Sequence, residues 1–102
     1  MTGAPGRARP RLDPDRAAVA FVGDEAVILD LRDYRAFRAN GSAALALRLM
    51  DGRRTSTAIA RALTRAFAAP AAVVRGDLRR WLAELARRGL LARAARGGGA
   101  GS

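Results

Sequence analysis

The chain contains no cysteine, no histidine and no lysine. The first absence excludes disulfides and thiol nucleophiles, the second excludes imidazole acid–base chemistry, and the two together remove the usual ligands of zinc and iron. Long apolar runs are missing as well: none approaches the roughly 18 residues that cross a bilayer, and the N-terminus lacks the apolar centre of a signal peptide. A cytoplasmic location without membrane attachment is expected. What remains for catalysis is a few carboxylates, hydroxyls and Tyr34, and these form no phosphate loop, no G-x-G-x-x-G and no G-x-S-x-G. No catalytic residue, metal or cofactor is expected.

What is abundant is arginine. All 19 basic side chains are Arg, and they give a net charge of +10 over 102 residues. The charge is uneven: +2 over residues 1–16, −3 over 17–33 and +11 over 34–102. The C-terminal two thirds therefore offers a positive surface to an acidic peptide, a nucleic acid or another protein, although an Arg- and Ala-rich composition also leaves many such side chains simply solvated. Residues 1–16 hold four Arg, three Pro and two Gly, with Leu12 the only large aliphatic after Met1, and read as a disordered basic arm. Residues 93–102 consist of Arg, Ala, Gly and Ser and read as a flexible Gly-rich tail. Residues 17–92 are left as one small domain with a thin core.

Within it, Ala17–Val22 and Ala26–Leu31 flank Gly23-Asp24-Glu25 and predict a β-hairpin. Val27, Leu29 and Leu31 alternate with Ile28 and Asp30, as suits an antiparallel sheet with one face on a core. After a turn at Arg32-Asp33, residues Tyr34–Ala39 predict a third strand. Its two faces are Tyr34, Ala36 and Arg38, and Arg35, Phe37 and Ala39; which of them is inward stays open. Asn40-Gly41-Ser42 reads as a turn ending in a helix cap, and Leu45, Ala46 and Leu49 give a short first helix closed by Asp51-Gly52. Thr55 opens a second helix with Ile59, Leu63, Ala66 and Phe67 in one apolar stripe, and Pro70 suits a first helical turn. A third helix, Ala71–Arg88, brings Val74, Leu78, Trp81 and Leu85 within about 60° of one another on the helical wheel. Gly89 fits a left-handed helix end, after which Leu90 and Leu91 fold back onto the core.

Several strings are specific in combination: VILDL in the hairpin, Asn40-Gly41-Ser42-Ala43-Ala44, Leu49-Met50-Asp51-Gly52-Arg53-Arg54-Thr55, Asp77-Leu78, Trp81-Leu82-Ala83-Glu84-Leu85 and Arg88-Gly89-Leu90-Leu91. Over residues 17–92 they make the sequence resemble the PqqD family of precursor-peptide recognition elements. It departs from the family's pattern at Ala36, Phe37 and Ala39, where bulkier residues are usual. The resemblance implies an α+β fold, a three-stranded antiparallel sheet followed by three helices, winged-helix-like. It also implies a protein that is not itself a catalyst, needs no cofactor, and binds the leader of a ribosomally made precursor peptide as a strand added beside the third strand and third helix. Pathways of this kind make pyrroloquinoline quinone and lasso peptides, and the expected second partner is a maturation enzyme: a radical SAM enzyme, a leader peptidase or a cyclase. The peptide-binding residues implied are Tyr34, Arg35, Ala36, Phe37, Arg38 and Ala39 on the strand, with Asp77, Trp81, Glu84, Leu85 and Arg88 on the helix.

Plainer roles compete with each assignment. Trp81 suits the core or its edge, Phe37 fits core and groove equally, Asp77 suits a local salt link or the helix dipole, and Tyr34 suits closure of a turn. A guest burying two or three apolar anchors at about 1.5–3 kcal/mol each, against about 2–5 kcal/mol for its own ordering, should bind near micromolar Kd. The main alternative is a winged-helix DNA-binding protein, since TSTAIARALTRAF followed by AVVRGDLRRWLAELARRGLL also reads as a helix-turn-helix. Against it stand the absence of a wing after the third helix and a break between helices that reads as longer than the three or four residues usual in that motif.

Overall fold

Three strands, β1 (Ala17–Val22), β2 (Glu25–Asp30) and β3 (Ala36–Asn40), precede three helices, α1 (Ser42–Leu49), α2 (Ser56–Phe67) and α3 (Ala71–Arg87). This is the order in a computed structural model that describes residues 7–93. The sheet is antiparallel in the order β1-β2-β3. The fold is α+β with all strands first, so winged-helix-like describes it only loosely.

The central strand sets the geometry. Asp30 donates its N–H to the Arg35 carbonyl (2.8 Å), and Leu31 donates to the Arg16 carbonyl (2.9 Å). Hydrogen-bonded pairs alternate along an antiparallel ladder. Ala26 and Ile28 therefore bond across to β3, opposite Ala39 and Phe37, while Val27 and Leu29 bond across to β1, opposite Ala20 and Ala18. The same alternation decides the faces. Ala26, Ile28 and Asp30 are buried and Ala17 and Ala39 join them in the core, whereas Val27 keeps 38% of its surface exposed. The helices thus cover the Ile28 side, and Phe37 and Ala39 form the inward face of β3.

The third strand begins at Ala36, not at Tyr34. Tyr34 is in the left-handed region (φ 61°), with its N–H bonded to the Asp30 carbonyl (2.8 Å). Asp30 Oδ1 accepts the Arg32 N–H (2.9 Å) and Asp33 Oδ1 the Arg35 N–H (3.0 Å). Asp side chains that capture the amide two residues on favour turns over strands, and two in succession curl this segment away from the sheet.

The first helix is capped by Gly41 (φ 55°, ψ −125°) with no side-chain bond, and Ser42 is already helical instead of serving as the cap. Its buried residues are Ala44, Ala46 and Leu47, while Leu45 and Leu49 pack only at the edge of the core. Asp51 then organises the loop. Its Oδ1 accepts the N–H groups of Arg53 and Arg54 (2.9 Å each), and these bonds hold its carboxyl below the ordinary carboxylate value. Thr55 caps α2 by accepting the Ala58 N–H (3.1 Å). Ile59, Ala60 and Leu63 are buried in that helix, but Ala66 and Phe67, expected in the same stripe, are exposed because the last turn of α2 runs past the core. In α3, Val74, Leu78 and Leu85 are buried. Gly89 (φ 74°) follows, where a Cβ would meet Arg16 Nη2 at 2.9 Å, and Leu90 is fully buried.

Residues 7–16, expected from composition to be disordered, are instead stitched to the domain by their backbone. The Ala8 and Pro10 carbonyls accept the N–H groups of Ser56 (2.7 Å) and Gly52 (3.1 Å), Asp13 N–H donates to the Leu90 carbonyl (2.8 Å), and Ala92 N–H donates to the Arg11 carbonyl (2.9 Å). Bridges pair Arg11 with Asp51 and Leu12 with Leu91. The segment is a strap, held by main-chain bonds that composition does not register. Residues 1–6 of the arm and 94–102 of the tail lie outside the described residues.

Between α2 and α3, Ala68 adopts a left-handed conformation (φ 51°, ψ 38°), which costs a residue with a Cβ about 1–2 kcal/mol. Ala68→Gly should therefore raise stability by about 1 kcal/mol and Tm by about 4–8 °C. Thermal unfolding followed by circular dichroism checks this; a lower Tm would show that the helix end is held by something other than this backbone conformation.

Candidate functional site

β3 is an edge strand. Since Phe37 and Ala39 direct their amides and carbonyls to β2, those of Ala36, Arg38 and Asn40 point outward along the free edge. α3 runs beside this edge in the opposite sense. At one end the Arg88 guanidinium lies over the Phe37 ring, 4.2 Å from its centroid. At the other, Asp77 and Trp81 line a cavity together with Gly41 and Ala43, just past the strand. The lengths agree: Phe37 to Gly41 spans about 13 Å of extended chain, and Asp77 to Arg88 about 16 Å of helix.

That cavity, about 430 Å³, is apolar for most of its lining, which includes Phe67 and Val73. Both are unusually exposed for their size, 47% and 53%. Sequence reasoning missed them as site residues. Phe67 fell into the core stripe of α2 by periodicity, and Val73 carried no signal; the short link Ala68-Ala69-Pro70, which sets where α2 stops, was the one available clue.

The expected site residues divide accordingly. Ala36 and Arg38 lie on the strand and face away from the helices, with Arg38 paired to Glu25 (3.4 Å) across the sheet. Phe37 lies inward, under Arg88. Trp81 is partly buried and both packs on the core and lines the cavity. Asp77 also lines it, paired with Arg80. Glu84 pairs with Arg87 and with Arg88 Nε, the latter at 3.0 Å. Glu84 thereby fixes the guanidinium that covers Phe37, a stacked contact of about 0.5–1 kcal/mol at an exposed site. Arg32 completes this corner by donating to the Arg88 carbonyl (2.9 Å). Four residues are placed otherwise. Ala39 and Leu85 are 5% and 4% exposed, core residues without a surface to offer a ligand, and Tyr34, 75% exposed, stands in the turn before the strand. Arg35 shares that turn, its carbonyl bonded to Asp30 and its side chain 3.9 Å from Asp33.

Fold and site together define a class: a small α+β domain with a free strand edge set against the side of a helix. The model of coenzyme PQQ synthesis protein D (PqqD) matches residues 25–91, and the chain belongs to this family. The match begins at β2, inside the 17–92 span of the resemblance. Among solved structures, TbiB1 in complex with the TbiA(beta) leader peptide is similar in fold, with a TM-score of 0.73 at 24% identity over 84% of this chain and 99% of that one. No curated protein matches.

The carboxyl of Glu84 is held below its ordinary value of 4.5, first by the hydrogen bond from Arg87 and then by that cation's charge, with Arg88 adding smaller contributions of the same kind. A depressed folded value means that the pairing is intact above 4.5 and is lost as pH falls through the lowered value. A carbon-detected NMR titration should give a Glu84 midpoint below 4.5, and Arg87→Ala should return it toward 4.5 further than Arg88→Ala does. The reverse order would assign the control of Glu84 to Arg88.

Proposed function

We propose that this protein binds the leader segment of a ribosomally synthesised precursor peptide and presents it to a maturation enzyme, taking no part in the chemistry itself. The leader adds as a fourth strand on β3, in the groove beside α3. The observation that carries this reading is the outward ladder of Ala36, Arg38 and Asn40 running alongside Trp81, Glu84 and Arg88, in a chain of the PqqD family whose fold is shared with a protein solved with a leader peptide. A guest strand satisfies those amides and carbonyls whatever its side chains, each bond contributing about 0.5–1.5 kcal/mol net. Selectivity then comes from the cavity at the Gly41 end, which accepts an apolar anchor between Phe67, Val73 and Trp81, and from Arg38 and Arg88, which suit leader carboxylates. The enzyme is a radical SAM enzyme, a leader peptidase or a cyclase, and the assembly works in the cytoplasm; no helix of the described residues is long and apolar enough to cross a membrane.

The DNA-binding alternative gains one point and keeps one obstacle. The link between α2 and α3 is three residues, Ala68–Pro70, within helix-turn-helix spacing and shorter than the sequence suggested. No pair of strands follows α3 among the described residues, so the wing that accompanies such a reader is missing there.

Trp81 is the only tryptophan and stands in the groove, so its emission should change on titration with a synthetic leader taken from a precursor encoded beside this gene, saturating near micromolar Kd. Arg38→Pro removes an outward N–H and leaves the β2 ladder intact. It should abolish the change while the circular dichroism spectrum stays that of the parent. Unaltered affinity in the folded variant would rule out strand addition.

A further inference from the structure

A second concavity, about 380 Å³, lies on the opposite flank of α3. Its lining includes Ala60, Leu78, Leu82 and Leu91, the strap at Ala8–Pro10, and Arg75 and Arg79 of α3. At 100° per residue, Arg75, Arg79 and Leu82 centre about 130° around α3 from Val74, Asp77 and Trp81, which face the leader groove. The two depressions therefore lie mainly on different sides of α3, with Leu78 lining both.

The charges around it are not balanced. On α3, Arg80 pairs with Asp77 and both Arg87 and Arg88 pair with Glu84, but Arg75 and Arg79 enter no ion pair among the described residues. Arg9, which donates to the Arg53 carbonyl, adds a third cation from the strap. No Asp or Glu lines the concavity among the described residues. Arg9, Arg75 and Arg79 therefore present positive charge with no carboxylate in the lining among the described residues, which suits an acidic partner. A nucleic-acid backbone would neutralise the arginines but leave the leucines uncovered. A polypeptide with both carboxylates and aliphatic side chains matches both features.

We propose that this concavity docks an acidic amphipathic segment of a partner protein, with its aliphatic side chains on Leu82, Ala86 and Leu91 and its carboxylates on Arg9, Arg75 and Arg79. The inference rests on the leader-binding reading for the identity of that partner, the maturation enzyme, which α3 would hold on one flank while the leader lies on the other. The test uses the full ¹⁵N-labelled chain and a synthetic amphipathic helical peptide with a leucine stripe flanked by glutamates. Controls are the same peptide with glutamine for glutamate and a short DNA duplex. Saturable shifts at Leu82, Ala83 and Leu91, without shifts at Phe37 or Arg38, are expected with the glutamate peptide. The glutamine peptide and the Arg75→Glu/Arg79→Glu variant should each bind about tenfold more weakly, with the leader-induced change in Trp81 emission preserved in the variant. Shifts confined to β3, equal binding of the glutamine peptide, or tighter binding of the duplex at the same amides would overturn the proposal. Normal leader binding with no response to the glutamate peptide sinks this docking site alone. Docking of the peptide with no leader binding upholds the acidic-segment site and removes the leader reading.

Discussion

Hydrogen bonding on both sides of β2 is the constraint from which the candidate site follows. A strand pairs through alternate residues on each side, so once Asp30 bonds to Arg35 and Leu31 to Arg16, every other amide in the sheet has its direction assigned. Phe37 and Ala39 must then turn inward, and Ala36, Arg38 and Asn40 must present their main chain outward. The helices are layered over the same row of residues, α1 against β2 and β3 and α3 against α2, so that Ala26 and Ile28 share one core with Val74, Leu78 and Leu85. Arg88 over Phe37 joins the far end of α3 to this sheet at one end of the groove.

Much of this was legible in the sequence, for reasons that differ from element to element. The hairpin was visible because Gly23-Asp24 interrupts two β-branched runs, and α3 because Val74, Leu78, Trp81 and Leu85 keep helical spacing through a string of arginines. Tyr34 and Arg35 were misread as strand because their side chains suit a strand, whereas the backbone obeys the carboxylates of Asp30 and Asp33. Phe67 was misread as core because periodicity reports which side of a helix a residue lies on, not how far along it the core extends. The strap at residues 7–16 was invisible for a deeper reason. It is held by its own carbonyls and amides, groups that every residue carries, so a count of apolar side chains is blind to it.

The arginines, indistinguishable by composition, are sorted by the structure into distinct duties. Arg48 stacks on Phe21, 4.2 Å from its centroid, and reaches the Gly23 carbonyl in the hairpin turn. Arg32 and Arg88 join the β2–β3 turn to the end of α3, and Arg54 closes onto Asp51 at the mouth of α2 (2.8 Å). Guanidinium suits these tasks better than ammonium would, because its planar fork can donate to a carbonyl and lie against a ring. Local partners of this kind account for many of the cations on the framework.

The two edges of the sheet are unequal. On β1 the Ala17 N–H already turns back onto the Asp13 carbonyl (2.9 Å), which shortens the run of main chain left free there, while β3 offers its outward ladder from Ala36 to Asn40. A strand received on β3 becomes the new margin of the sheet, and half of its own amides and carbonyls then face away from the host. Such a guest is gripped along one side only and remains readable along the other.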